Sequence, residues 1–311
     1  MATRRVLVTG AAGFVGAVLA RRLLADGHRV TLAVRPGGDH WRLQGLDGDA
    51  ELIALDLRDA AAVTQEVAAV RPDWVFSLAA HGAYSWQSDL ATMADVNIKG
   101  TANLVAAAVD AGAVVVHAGS SSEYGYVDHA PREHELPHPN SAYAVTKCAA
   151  TLHCGWVARE RDAGVTVLRL YSAYGPWEEP RRLMPTLLAA CARGELPPLT
   201  DPTTARDFVY VEDVADAFVR AASRARPGEG AVYNVGSGVQ TSLGELVGVA
   251  RELFDVAATP AWGGYGSRSW DTSTWVSDPS LARERLGWSA STSLREGLRR
   301  MAEADRAGAA T

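Results

Sequence analysis

Short apolar runs alternate with longer helical patterns up to Leu170, and this alternation constrains the fold more than any other feature. Arg5–Thr9 (RVLVT), Arg29–Val34, Glu51–Leu55, Trp74–Leu78, Ala113–Ala118 and Val165–Leu170 read as strands. Between them, Phe14–Ala25, Arg58–Val70, the Ala-rich Asp89–Ala111 and Ser141–Arg161 carry helical spacing. A strand that is apolar throughout has to be covered on both faces, and a helix after each strand supplies that cover. The expectation is an α/β chain with a doubly wound parallel sheet, whose ligands bind at the carboxyl ends of the strands. After Tyr171 prolines punctuate the chain, and helices reappear at Val211–Ser223, Ser242–Phe254, Asp278–Arg285 and Leu294–Ala304.

Composition narrows the partners. The 311 residues carry 30 basic and 36 acidic side chains, a formal charge of −6. Binding to nucleic acid depends on clustered Lys and Arg, so nucleic acid is not expected as a partner. No run of about 18 apolar residues appears, so no membrane span is expected. The N-terminus enters a strand pattern directly, without a signal-peptide pattern. Cys148, Cys154 and Cys191 are odd in number and lack CxxC spacing, which points to buried thiols in a reducing cytoplasm rather than to disulfides or thiolate zinc.

The first strand runs into Gly10-Ala11-Ala12-Gly13-Phe14-Val15-Gly16 and then into a helix. Without Cβ atoms, the backbone N–H groups of such a turn can approach a pyrophosphate at a helix N-terminus. The motif marks a Rossmann-type dinucleotide site, although its spacing is GxxGxxG rather than GxGxxG. Residues 1–172, with 207–235 returning to them, are assigned to this unit. Residues 173–206 and 236–311 are assigned to a smaller interleaved substrate cap. The second strand ends in Val34-Arg35, where NAD-binding units usually carry an acid for the ribose hydroxyls. A guanidinium suits a 2′-phosphate, so NADP(H) is favoured over NAD(H). Asp56-Leu57 stands where adenine would lie, although Asp56 could equally cap the next helix.

The chemistry-bearing residues come later. Tyr143 and Lys147 in YAVTK fall on one helix face, one turn apart. An ammonium beside a phenol favours phenolate, and such a phenol can exchange a proton with an alcohol or carbonyl while hydride moves at the same carbon. Ser120-Ser121-Ser122-Glu123 closes a strand at the expected active edge. A serine there can bond the substrate oxygen, and Glu123 is either a general base or a turn cap. Tyr84, Trp86, Trp177, Trp270 and Trp275 fall in loops, where aromatic rings either cover a sugar or simply pack. His81 follows the strand end at Ala79-Ala80 and is placed at the substrate. His129, His134 and His138, with Glu133 and Glu135, lack zinc-motif spacing, and no metal is expected.

Five segments in order, TGAAGFVG (Thr9–Gly16), SSSEYG (Ser120–Gly125), YAVTK (Tyr143–Lys147), LRLYSAYGP (Leu168–Pro176) and RDFVYVEDV (Arg206–Val214), resemble the extended short-chain dehydrogenase/reductases. More narrowly, the chain resembles the NAD-dependent epimerase/dehydratase group that acts on nucleotide sugars, from about Val6 to Trp288. The resemblance implies that Tyr143 and Lys147 are the catalytic pair, also touching cofactor. It implies a catalytic serine within Ser120–Ser122: alignment on Glu123 gives Ser121, taken here as the catalytic residue, whereas alignment on Tyr124 gives Ser120. Leu78, Ala79, Ala80, Asn97 and Tyr171 are implied at the cofactor. Ser121, Ser122, Glu123, Ser172, Arg206 and Arg268, with His81 and Trp86, are expected around the substrate. Arg206 would grip the diphosphate, and Ser172 replaces the family's usual Asn. A homodimer through Asp89–Ala111 and Ser141–Arg161 is implied as well.

The leading expectation is a 4-ketoreductase of an NDP-hexulose. A 4-epimerase that keeps its cofactor and a 4,6-dehydratase are the alternatives within the same chemistry. A dinucleotide-binding redox sensor without catalysis is the alternative of another class.

Overall fold

The computed structural model describes residues 2–46, 48–264 and 272–306. In chain order the elements open with β1 (Arg5–Thr9), α1 (Phe14–Ala25), β2 (Arg29–Val34), β3 (Glu51–Ala54), α2 (Ala60–Val70) and β4 (Trp74–Ser77). The short α3 (Leu90–Met93) leads through a π-helical turn, Ala94–Gly100, into α4 (Thr101–Asp110). Then come β5 (Val114–Ser120), α5 (Ala142–Glu160), β6 (Val165–Leu170) and β7 (Ser172–Tyr174). The remainder is α6 (Leu183–Cys191), β8 (Ala205–Tyr210), α7 (Val211–Arg224), β9 (Val232–Val235), β10 (Gln240–Ser242), α8 (Leu243–Phe254), α9 (Ser280–Leu286) and α10 (Leu294–Arg306).

Seven strands form one sheet in the order β3-β2-β1-β4-β5-β6-β9, every pairing parallel. The order reverses between β1 and β4, so a crevice opens there at the carboxyl ends, as in dinucleotide-binding sheets. An apolar cluster fills each face. One packs α1 and α7 on Val6, Val8, Leu32 and Phe76, and the other packs α2, α4 and α5 on Leu7, Val75, Val115 and Val167. These strand residues alternate between the two clusters, which is the physical reason the runs are apolar throughout. A second sheet, β10-β8-β7, has its own cluster with Met184, Leu187, Leu246 and Leu298 from α6, α8 and α10.

The helix expected over Asp89–Ala111 is widened in its middle. Asp89 caps its start by accepting the Thr92 N–H at 2.8 Å, and the π turn then carries Asn97, which has no exposed surface. Cys154 and Cys191 are buried free thiols, but Cys148, expected to be buried, is only partly so. Among the described residues, no helix is long and apolar enough to cross a membrane.

Candidate active site

The glycine turn is packed so closely that side chains could not occupy it. Gly10 has φ +68°, and a Cβ there would lie 2.5 Å from the backbone nitrogen of Ala79; one on Gly16 would lie 2.2 Å from the Gly10 carbonyl oxygen. Gly13 caps α1 without a side-chain bond, and the first turn holds no acid. The amides that open the helix therefore face the crevice with no competing side-chain acceptor, and they fit a pyrophosphate. Phe14 and Val15 form that first turn, and Leu78, Ala79 and Ala80 form the opposite wall beyond β4.

At the far end of the crevice Val34 is buried and Arg35 is exposed. The Arg35 charge bears on both Asp56 and His81. Arg58 grips Asp56 with Nε at 2.9 and 3.0 Å and Nη2 at 2.6 Å, and holds its carboxyl down at about 2. Both Asp56 oxygens are thus engaged by Arg58, so the role expected for Asp56 at adenine would have to share them. The Leu57 carbonyl accepts from Asn103 at 2.8 Å.

The catalytic-type groups meet where β5 ends. Ser141 caps α5 by accepting the Ala144 N–H, and the helix carries Tyr143 and Lys147 one turn apart toward that edge. Burial, with the Glu123 charge, pushes the Tyr143 phenol up to about 12, while the nearby Ser120 side chain pulls it down. Lys147 is 2% exposed, and burial lowers its ammonium to about 8 against the pull of Glu123. Its Nζ lies 3.2 Å from His117 Nε2. The expected depression of the phenol by Lys147 is therefore not the controlling effect here; desolvation is.

The structure surrounds three of the expected site residues as follows. Ser121, expected as the catalytic serine, is buried, and Ser120 is the residue at the Tyr143 hydroxyl. The reason is a short 3-10 turn, Ser121–Tyr124, that Ser120 caps: Ser120 Oγ accepts the Ser122 N–H while Glu123 Oε1 accepts the Ser120 N–H at 2.8 Å. Ser122 Oγ is 2.7 Å from Ser120 Oγ. Glu123, expected at the substrate, has no exposed surface; it pairs with Arg169 Nε at 2.9 Å and accepts from Thr151 at 3.0 Å. Asn97, expected at the cofactor, spends its amide on protein. It donates to the His81 carbonyl and to Thr146 Oγ1, and accepts the His81 N–H at 2.8 Å. The widened π turn lets it reach the loop beyond β4 and fix that loop to α5.

The remaining expected residues divide. The Tyr171 hydroxyl is buried without a hydrogen-bond partner, and the Tyr124 and Asp207 groups bear on it. His81 is half-buried, and burial and the Arg35 charge lower its pKa against the pull of Asp89. Trp86 stacks on Tyr84 at 4.7 Å, with the Arg181 guanidinium 3.7 Å above it. Ser172 opens β7 opposite Phe208 of β8. Arg206 on β8 is half-buried, 5.5 Å from the Trp275 ring. Arg268 and Trp270 lie outside the described residues.

Sequence reasoning missed four groups. His117 sits beneath Lys147. Arg182 lies near enough for its charge to bear on Tyr143. Glu178 pairs with Arg182 at 3.5 Å, is 8% exposed, and is raised to about 7 by burial. Asp207 is buried and accepts from Ser237, Gly238 and Ser277, tying two loops to the strand that carries Arg206. A sequence signal existed for one arrangement: Ser120-x-x-Glu123 is a capping-box spacing, and it explains where both residues went. Among the described residues, no cluster of three or more His, Cys, Asp or Glu is placed to hold a metal.

The sequence profile of the NAD-dependent epimerase/dehydratase family matches residues 6–236. A UDP-glucose 4-epimerase of Mycolicibacterium smegmatis is 34% identical over 310 residues, covering 96% of this chain and 97% of that protein. A dTDP-6-deoxy-L-talose 4-dehydrogenase (NAD(P)+) of Kitasatospora kifunensis is 33% identical, covering 96% and 95%. The solved structure of MoeE5 in complex with UDP-glucose and NAD superposes with a TM-score of 0.84 at 34% identity, covering 97% of this chain and 99% of that one. The glycine cradle at the β1–β4 crevice, with Tyr143 and Lys147 at its other end, occurs in a chain that belongs to the NAD-dependent epimerase/dehydratase family of extended short-chain dehydrogenase/reductases.

Proposed function

We propose that this enzyme inverts the configuration at C4 of a nucleotide sugar, working with an NAD-type dinucleotide held at the glycine turn. A dinucleotide in that cradle would supply the hydride acceptor and donor. Tyr143 would take the proton of the 4-hydroxyl as hydride leaves C4, and would return it to the same oxygen when hydride comes back to the opposite face of the ketone, with Ser120 orienting that oxygen. Lys147 would hold the ribose hydroxyls and keep positive charge beside the phenol. Arg206 would hold the diphosphate, the role that the family resemblance implies for it. The carrying observation is that Ser120 lies at the Tyr143 phenol, on whose helix Lys147 follows one turn later, while Glu123 is paired with Arg169. One proton-transfer centre suffices for oxidation and reduction at C4, whereas 4,6-dehydration needs a further acid/base pair that a buried, ion-paired Glu123 does not supply. The similar 4-epimerase supports the same reading.

A second reading, reduction of a 4-ketosugar by NADPH, is favoured by Arg35, which is exposed at the end of β2 where a 2′-phosphate would lie. Purified protein incubated with UDP- and dTDP-hexoses separates the two. Interconversion of 4-epimers without added dinucleotide supports epimerisation; turnover only of ketosugars, with stoichiometric loss of NADPH absorbance, replaces it with the reductase. In the reductase case Arg35→Asp should shift the preference from NADP(H) toward NAD(H) by about tenfold or more, the weight of one charge-assisted contact.

We also propose a homodimer through α5. Val145, Leu152 and Trp156 are 49%, 64% and 55% exposed and fall on one stripe of that helix. Such a stripe is costly in water unless a second surface covers it. Leu152→Glu should convert a dimer to a monomer in sedimentation equilibrium, and a wild-type protein that sediments as a monomer would sink the proposal.

A further inference from the structure

Beneath Lys147 lies a buried polar pair that the reaction described above does not use. His117 on β5 and Ser77 on β4 are register partners, exposed by 0% and 1%. His117 Nδ1 is 3.0 Å from Ser77 Oγ, and His117 Nε2 is 3.2 Å from Lys147 Nζ. An ammonium only donates, so Nε2 has to accept, and the ring proton then sits on Nδ1 and is given to Ser77. The imidazole is held neutral: burial, Lys147 and His153 all push its pKa well below the ordinary value. The charged or titratable groups that bear on Lys147 are Glu123, which is already paired with Arg169, and the Cys154 thiol on α5.

We infer that the Ser77–His117 pair is a positioning device for Lys147, a neutral acceptor with a fixed tautomer that anchors one N–H of the buried ammonium and leaves the other two for ligand hydroxyls. A carboxylate in that place would bind the ammonium more strongly but would cancel the positive charge that Lys147 brings to the site. An apolar side chain would leave the ammonium without an acceptor, and a buried charge without a partner gives up its proton instead. A neutral, oriented imidazole does neither. The inference deepens the catalytic reading above and rests on it for its kinetic readout only.

Two measurements test it. The first needs no substrate: long-range ¹⁵N–¹H correlation spectra of the whole protein with ring-¹⁵N histidine, the His117 signals being assigned by their movement in Ser77→Ala. We expect one histidine locked as the Nδ1–H tautomer, neutral through the ordinary imidazole titration range, whose Nε2 resonance moves in Lys147→Met. An Nε2–H tautomer, or an ordinary titration near pH 6.5, overturns the inference. The second is the pH profile of kcat/KM. His117→Phe should move the alkaline limb down by about one pH unit, a tenfold change in the protonation equilibrium of Lys147. His117→Gln, whose amide oxygen still accepts, should leave the limb near its wild-type position. A purely structural histidine would lower stability or rate in both variants without moving the limb, and that result also overturns the inference. A failure of sugar turnover in the wild type counts against the proposed function and leaves the tautomer measurement intact.

Discussion

Tyr143→Phe should lower kcat by about 10²- to 10⁴-fold, the usual weight of a positioned proton donor and acceptor. Dinucleotide affinity should change little, because the cradle is made by Gly10, Gly13 and Gly16 at the other end of the crevice. The loss would correspond to about 3–5 kcal/mol of transition-state stabilisation. The pH dependence follows from two opposed shifts. Tyr143 sits at about 12 in the protein alone, so at neutral pH it is a phenol, and its use as a base improves as pH rises. Lys147 sits at about 8, so the ammonium beside it is lost as pH rises through that value. Since its folded pKa lies below the ordinary value, the charged form is the one burial penalises, and the positive charge is secure only on the acid side of 8. The wild-type rate should therefore climb from pH 6 and turn over near pH 8, and Tyr143→Phe should flatten the climb. Stopped-time assays across pH 6–10, with cofactor binding followed by fluorescence, check both parts. A Tyr143→Phe enzyme that keeps more than about a tenth of wild-type kcat removes the phenol from the mechanism.

The sheet was legible because strands buried on two faces leave an unambiguous pattern. Arg5–Thr9, Arg29–Val34 and Val165–Leu170 occur in the structure with the bounds their composition sets. The short strands β7 and β10, three residues each, were not, because a period of two cannot be counted over so short a run. The same limit applies at the site. Tyr143 and Lys147 could be placed from helical spacing alone, since i and i+4 fix a shared face. Ser120, Ser121 and Ser122 could not be told apart by composition, because a 3-10 turn decides which hydroxyl faces Tyr143. Asn97 pointed to the right neighbourhood, yet its partners depend on a π turn that adds a residue to the helical period. His117 sits in the apolar strand VVVHAGS, and only the register of β4 against β5 reveals Ser77 beside it.

The largest stability effect should come from Arg169. Its side chain is 4% exposed, stands over the Tyr124 ring at 4.5 Å, donates to the Glu133 carbonyl at 3.2 Å, and is the counter-charge of Glu123. Arg169→Met would leave the Glu123 carboxylate buried and unpaired, a change that typically costs about 3–5 kcal/mol. For a chain of 311 residues the thermal midpoint should fall by roughly 5–8 °C, at about 1.5 °C per kcal/mol. Glu123→Leu alone should be nearly as damaging, since it strands the guanidinium and also removes the acceptor for the Ser120 N–H and for Thr151. The double variant Glu123→Leu/Arg169→Met removes both charges, so its loss should be smaller than the sum of the single losses by about 2 kcal/mol or more. It should not regain activity. Ser120 would keep its hydroxyl but lose the carboxylate that caps its amide, and with it the fixed turn that aims Oγ at Tyr143. Thermal melts of the three variants beside their kcat values make the separation: additive losses of stability would mean the pair is not coupled, and wild-type kcat in the double variant would mean that Glu123 does not orient Ser120.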